Sequence, residues 1–150
     1  MKRIVLILLM LVNLFSLNAQ ENELFKDREY PQWFSDAKLG IFIHYGLYSV
    51  PSYSDKEQYA EWFYKGLISN DSLRINFQKE VFGENFEYRD YKDLFKAELF
   101  DAAEWADLFA KSGAKYILFT SKHHDGYCMW DSEYAKGWSS ATTTPNRDFC

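Results

Sequence analysis

The sequence predicts an α/β protein built on a parallel sheet, and three stretches carry that expectation. Lys38–His44, KLGIFIH, is a short apolar run that ends in a polar residue. Ala110–Thr120, AKSGAKYILFT, reads as the end of a helix, a glycine stop and a second apolar run. Tyr116–Ser132, YILFTSKHHDGYCMWDS, passes from that run into a loop rich in ionisable side chains. Helix, tight turn, apolar strand and polar loop in this order is the rhythm of strands joined by crossover helices, which lie parallel.

The chain opens on Lys2 and Arg3, continues with the uninterrupted apolar run Ile4–Val12, and offers a small residue at Ala19 before Gln20. This is the layout of a secretory signal peptide, and the run is too short to span a bilayer. The expected organisation is therefore a leader at 1–19 and a mature chain from 20 to 150, exported and without a membrane span after cleavage. Residues 20–30 are polar and read as an irregular lead-in. Residues 38–44 form the first expected strand, and 46–54 a turn-rich segment with Pro51 and three serines. Glu57–Ile68, EQYAEWFYKGLI, reads as a helix because Tyr59, Trp62 and Phe63 recur at helical spacing. Ser72–Phe82 reads as a second helix with Ser72 as its N-cap. Asp101 followed three residues later by Glu104 is a capping-box pattern, Trp105, Leu108 and Phe109 form an apolar stripe, and Gly113 ends that helix. The second strand then runs over 116–120, with Ile117–Phe119 continuously apolar and expected to be buried.

The 150 residues suffice for one ordinary domain, and 47% of them are apolar. Aromatic residues make up 19%. Rings in that number fill large cores, and they also line sugar-binding sites. Loss of Lys2 and Arg3 with the leader takes the 17 basic residues to 15 against 22 acidic ones, a mature charge of −7. A chain this acidic has no electrostatic footprint for nucleic acid. Cys128 lies between Tyr127 and Met129 and reads as a buried free thiol, although an exported protein could pair it with Cys150.

Ligands of parallel α/β folds bind at the carboxyl ends of the strands. His44 closes the first strand; Lys122, His123, His124 and Asp125 follow the second, so all three histidines fall at strand carboxyl ends. Adjacent residues on an extended chain point to opposite faces, which makes His123 and His124 a poor chelate. Hydrogen bonding to a polar ligand suits them better, because imidazole both donates and accepts, and a structural role in tying down the loop is the alternative. His44 alone reads equally as a satisfied core histidine. Glu61, beside Trp62 on an otherwise aromatic helix, reads as a solvated carboxylate unless that helix lies over the pocket, and Asp125 before Gly126 reads as an Asx turn. No G-x-S-x-G elbow, P-loop or G-x-G-x-x-G occurs.

WFSDAKLGIFIHYGLYSVPSY (33–53), AEWF (60–63), FKAELFDAAEWADLFAKSGAKY (95–116) and SKHHDGYCMWDS (121–132) together resemble the α-L-fucosidases of glycoside hydrolase family 29. The resemblance implies the N-terminal part of a (β/α)8 TIM-like barrel, usually followed in the family by a β-sandwich domain. It implies a retaining, two-step release of terminal α-L-fucose from glycoconjugates, with no metal and no organic cofactor. Carried over by motif, His44, Glu61, Trp62, His123 and His124 would bind the sugar. Tyr45 stands where the family commonly has Trp. A full barrel takes about 250 residues, so only about two of its eight strands are expected here. The nucleophilic aspartate and the acid/base are expected on later strands, beyond Cys150. The rival readings are a carbohydrate-binding protein without catalysis and an inactive truncated product.

Overall fold

The computed structural model describes residues 29–150, and the expected leader at 1–19 lies outside them. A first unit ends at Asp36 and a second comprises Ala37–Cys150. At the end of the first, helix α1 (Gln32–Ala37) starts behind Pro31, whose carbonyl accepts from the Phe34 amide at 2.9 Å.

The second unit starts with strand β1 (Gly40–Ile43), shorter than the expected 38–44. Lys38 has φ 61°, which no strand residue adopts, so the ladder cannot begin there. A 3-10 turn at Leu47–Ser49 follows within the serine-rich segment. The helix expected over 57–68 is a 3-10 turn at Ala60–Trp62 running into helix α2 (Phe63–Ile68). Glu57 takes φ 67° and Tyr59 is extended, which keeps the first turn of that pattern out of the helix. Helix α3 (Ser72–Phe82) has the expected span, but its N-cap is Asp71 rather than Ser72, with the Asp71 carboxylate accepting from Leu73 and Arg74 amides. A 3-10 turn at Tyr88–Asp90 and helix α4 (Tyr91–Leu94) come next. Helix α5 (Ala102–Lys111) is capped as expected, Asp101 Oδ1 accepting from the Glu104 amide at 2.9 Å. Strand β2 (Tyr116–Phe119) closes the set.

The two strands are parallel, in the register Gly40↔Tyr116 to Ile43↔Phe119. The Lys115 amide bonds Leu39 O and the Thr120 amide bonds Ile43 O, so the pairing runs one step past each end. A Cβ at position 40 would stand 2.2 Å from the Tyr116 ring, which is why glycine starts the ladder. Ile43, Ile117 and Phe119 line one side of the sheet with Trp105 and Phe109 of α5, around a cavity of about 160 Å³. Phe42 and Leu118, at the alternate positions, face the other side and are 64% and 50% exposed. Ile117 is also half-exposed, so the continuously apolar run is not the buried strand that its composition predicts. Leu108 of the expected stripe is exposed as well.

The core lies outside the strands, in the short helices, 3-10 turns and loops that connect them. Leu47, Tyr48, Phe63, Tyr88, Tyr91 and Phe95 pack together with Tyr127 and Met129. None of these residues belongs to a strand. Aromatic rings do most of the filling: Phe63, Phe82 and Phe86 all meet Tyr91 edge-on, within 6.1 Å between centroids. Full burial of each such side chain contributes about 1.5–3 kcal/mol. Cys128 is a buried free thiol and Cys150 is free and exposed. Among the described residues no helix is long and apolar enough to cross a membrane.

Candidate functional site

Because β1 and β2 are parallel, their carboxyl ends lie on one side, and the segments leaving them meet there. His44 follows β1 on the face that carries Phe42, and the two rings lie 4.7 Å apart. His123 comes four residues after β2, and its ring stands 5.1 Å from that of His44 and 4.4 Å from that of His124. Trp62, at the end of its 3-10 turn, lies 3.9 Å from the His124 ring and 6.2 Å from that of His123. Glu61 is close enough for its charge to act on both His123 and Tyr48. The structure thus brings together all five residues singled out in the sequence. Among the described residues, no three His, Cys, Asp or Glu side chains converge as metal ligands would.

The loop that presents the two histidines is a short hairpin. Lys122 pairs antiparallel with Cys128, and the Met129 amide bonds Ser121 O at 2.9 Å. Its tip closes through the Gly126 amide and His123 O, with Gly126 at φ +72°, a conformation that favours glycine. Asp125 is the anchor of this tip. Its Oδ1 accepts from the Tyr127 amide at 3.0 Å, the Asx turn expected from the sequence. Its Oδ2 accepts from the Tyr88 hydroxyl at 2.7 Å, and its backbone carbonyl accepts from Trp138 Nε1 at 3.0 Å. The segment 138–149 backs the hairpin through Cys128, Ser140, Met129 and Phe149 backbone bonds, and Tyr127 Oη lies 2.8 Å from Thr143 Oγ1.

Burial sets the electrostatics. It lowers the His123 pKa, and the neighbouring His124 and His44 act in the same direction, against Asp125 and Glu61. His123 is therefore neutral near pH 7, with its buried Nδ1 unbonded among the described residues. Burial raises the Asp125 carboxyl, although the Tyr88 hydroxyl, the Tyr127 amide and His123 all oppose it. Tyr48 and Tyr88 are pushed far up by burial, then by the Asp125 charge, so both hydroxyls stay protonated. Tyr127 is pushed up to about 12, again first by burial.

Four residues of this neighbourhood escaped the sequence reading. Tyr48 packs its ring 5.4 Å from His123, Tyr88 and Trp138 brace Asp125, and Arg74 lies behind the Glu61–Trp62 turn. Tyr88 and Asp125 are 37 residues apart, so no local period relates them.

A surface of imidazoles, an indole and a carboxyl group at strand ends can hydrogen-bond several hydroxyls and pack against an apolar ring face. Comparison with known proteins agrees with that chemistry. The sequence profile of the alpha-L-fucosidase family matches residues 15–150. The alpha-L-fucosidase of Dictyostelium discoideum is 45% identical over 124 residues, covering 81% of this chain and 27% of that protein. Human plasma alpha-L-fucosidase is 43% identical over 122 residues, covering 81% and 25%. The Thermotoga maritima alpha-fucosidase solved in complex with fucose superposes with a TM-score of 0.74 at 46% identity, covering 79% of this chain and 29% of that one. A GH29 alpha-L-fucosidase from Bacteroides thetaiotaomicron gives 0.60 at 34% identity, covering 81% and 25%. The chain spans about a quarter of the length of the curated relatives it matches. With its profile match running through both strands, the hairpin and every candidate site residue, this chain belongs to the α-L-fucosidase family.

Proposed function

We propose that the protein carrying this chain is a retaining α-L-fucosidase that releases terminal α-L-fucose from glycoconjugates, and that residues 20–150 supply the N-terminal part of its (β/α)8 barrel. The observation that carries this reading is the convergence of His44, His123, His124 and Trp62 at the carboxyl ends of two parallel strands. Neutral His123, with its Nδ1 buried, can donate to or accept from a sugar hydroxyl at its other ring nitrogen, according to its tautomer. A sugar lacking one hydroxyl would leave a partially buried partner unpaired, which is the physical source of selectivity. Glu61 can accept hydrogen bonds from sugar hydroxyls, and the half-exposed Trp62 offers an apolar face to sugar C–H groups.

The sheet face of Phe42 and Leu118 fits the barrel interior, where layers of side chains from other strands would cover it. Retaining hydrolysis needs two carboxyl groups about 5–5.5 Å apart. Asp125 is not one of them, since Tyr88 and Tyr127 occupy both of its oxygens. The nucleophile and the acid/base belong to later strands of the barrel. The basic start, apolar run and Ala19 support export through a leader cleaved near Gln20, which N-terminal sequencing of secreted protein would check.

The deciding experiment is hydrolysis of an aryl α-L-fucoside by the full-length protein, with NMR of the first-formed sugar. Release of α-fucose supports the reading, and an initial β-anomer overturns the retaining mechanism. Binding of fucose without hydrolysis would instead favour a carbohydrate-binding protein. His124→Ala should lower kcat/KM by about 2–4 kcal/mol in transition-state terms, and EDTA should leave turnover unchanged.

A further inference from the structure

We propose that Arg74 is a positioning residue whose buried guanidinium fixes the Ala60–Trp62 turn, and with it Glu61 and Trp62, against the histidine hairpin. The inference rests on the fucosidase reading only for the identity of the bound sugar.

Arg74 is 3% exposed, in the first turn of α3. Arginine is almost never buried this fully unless its charge is paired. Its Nη1 donates to Asp71 Oδ2 and to Gln58 Oε1, and its Nη2 donates to the Tyr59 carbonyl at 3.2 Å. Two of these three acceptors belong to the two residues that lead into the Ala60–Trp62 turn. The Tyr59 carbonyl also accepts the Trp62 amide at 3.2 Å, so one oxygen joins the guanidinium to the backbone of Trp62. From there the Trp62 ring reaches the His124 ring, 3.9 Å away. The connection therefore runs from Arg74 through the Tyr59 carbonyl to Trp62 and on to the hairpin.

Two further features fit this arrangement. A Cβ at position 66 would stand 2.2 Å from Arg74 Cδ, so Gly66 of α2 makes the passage through which the side chain reaches Tyr59. Asp71 balances the buried charge; burial alone would raise its carboxyl, but the Arg74 guanidinium and the α3 amides outweigh that and lower it. The fork matters as well as the charge, because a lysine ammonium cannot hold Gln58, Asp71 and Tyr59 in the same planar geometry.

The test uses the full-length protein with Arg74→Met and Arg74→Lys, read by amide hydrogen exchange and by turnover of an aryl α-L-fucoside. In Arg74→Met the peptide spanning residues 58–63 should exchange at least about ten-fold faster, while the hairpin amides of 121–129 keep their rates. Arg74→Lys should restore only part of that protection, and it serves as the readout if Arg74→Met does not fold. The kcat/KM loss should be about ten-fold or more. Combined with Trp62→Phe, it should be smaller than the product of the two single losses. Unchanged exchange at 58–63 overturns the proposal, as does an equal rise along the whole chain, which marks a merely structural role. Losses that multiply with Trp62→Phe overturn it too. If the wild-type protein does not hydrolyse fucosides, the fucosidase reading fails, and the exchange pattern still decides the role of Arg74.

Discussion

The loops that carry the histidines and the strands that deliver them are held in different ways. Around the site, Leu47, Phe63, Tyr91, Tyr127 and Met129 are essentially inaccessible, and the hairpin is tied by side-chain bonds from Tyr88 and Trp138. In the sheet, Phe42, Ile117 and Leu118 remain about half-exposed or more, and each strand has a single partner among the described residues. An apolar strand gains its burial only from neighbours on both edges and both faces.

The largest expected effect breaks the sheet side of this comparison. Residues 20–150 expressed alone should aggregate, because unpaired apolar strand edges recruit other chains. Phe42→Lys combined with Leu118→Lys should raise the soluble fraction in sedimentation. A cooperative thermal melt from a soluble monomer without those changes would show that the loop core suffices by itself. On the loop side, Phe63→Ala in the full-length protein should cost about 3–5 kcal/mol in denaturant unfolding, since its side chain is fully buried among Tyr53, Phe77 and Tyr91. A loss below about 1 kcal/mol would mean the cluster is not the stabilising unit described here.

Tyr88→Phe sharpens the comparison by removing one atom. It deprives the buried Asp125 carboxylate of the donor to its Oδ2 and should cost about 1–3 kcal/mol, with lowered fucoside affinity because the hairpin tip loosens. Equal stability and equal KM would assign the anchoring to Tyr127 and Trp138 alone.

The smallest expected effect is a pH dependence confined to the loops. His123, facing His44, His124, Tyr48, Asp125 and Glu61, titrates below its ordinary value of 6.5 when folded. The unfolded chain therefore takes up this proton first, so the contribution of His123 is fully present above about pH 6.5 and is lost as the pH falls through the folded value. Asp125, raised by burial, has the opposite sign: the folded state binds its proton first, so its contribution grows as the pH falls. Thermal melts from pH 7 downward should show a decline just below pH 6.5 that His123→Asn flattens. A decline unchanged by that substitution would place the titrating group elsewhere.

Much of this was legible in the sequence because it depends on neighbours along the chain. The Asp101–Glu104 cap, the span of α3, the two short apolar strands and the Asx turn at Asp125 are all set within a few residues. The histidines were legible as a cluster because a parallel sheet puts the carboxyl ends of its strands on one side. Their actual meeting, with His44 5.1 Å from His123, depends on a register that only the pairing of Gly40 with Tyr116 sets. Tertiary contacts decided the rest. Asp71 caps α3 in place of Ser72 because its carboxylate also meets Arg74, and 57–62 leaves the helix because Glu57 turns to positive φ and Tyr59 is extended. Tyr88 reaches Asp125 across 37 residues and Arg74 reaches Tyr59 across 15, separations that no periodicity encodes. Burial of the strands also depends on what packs against them, so an apolar run predicts a strand without predicting what covers it.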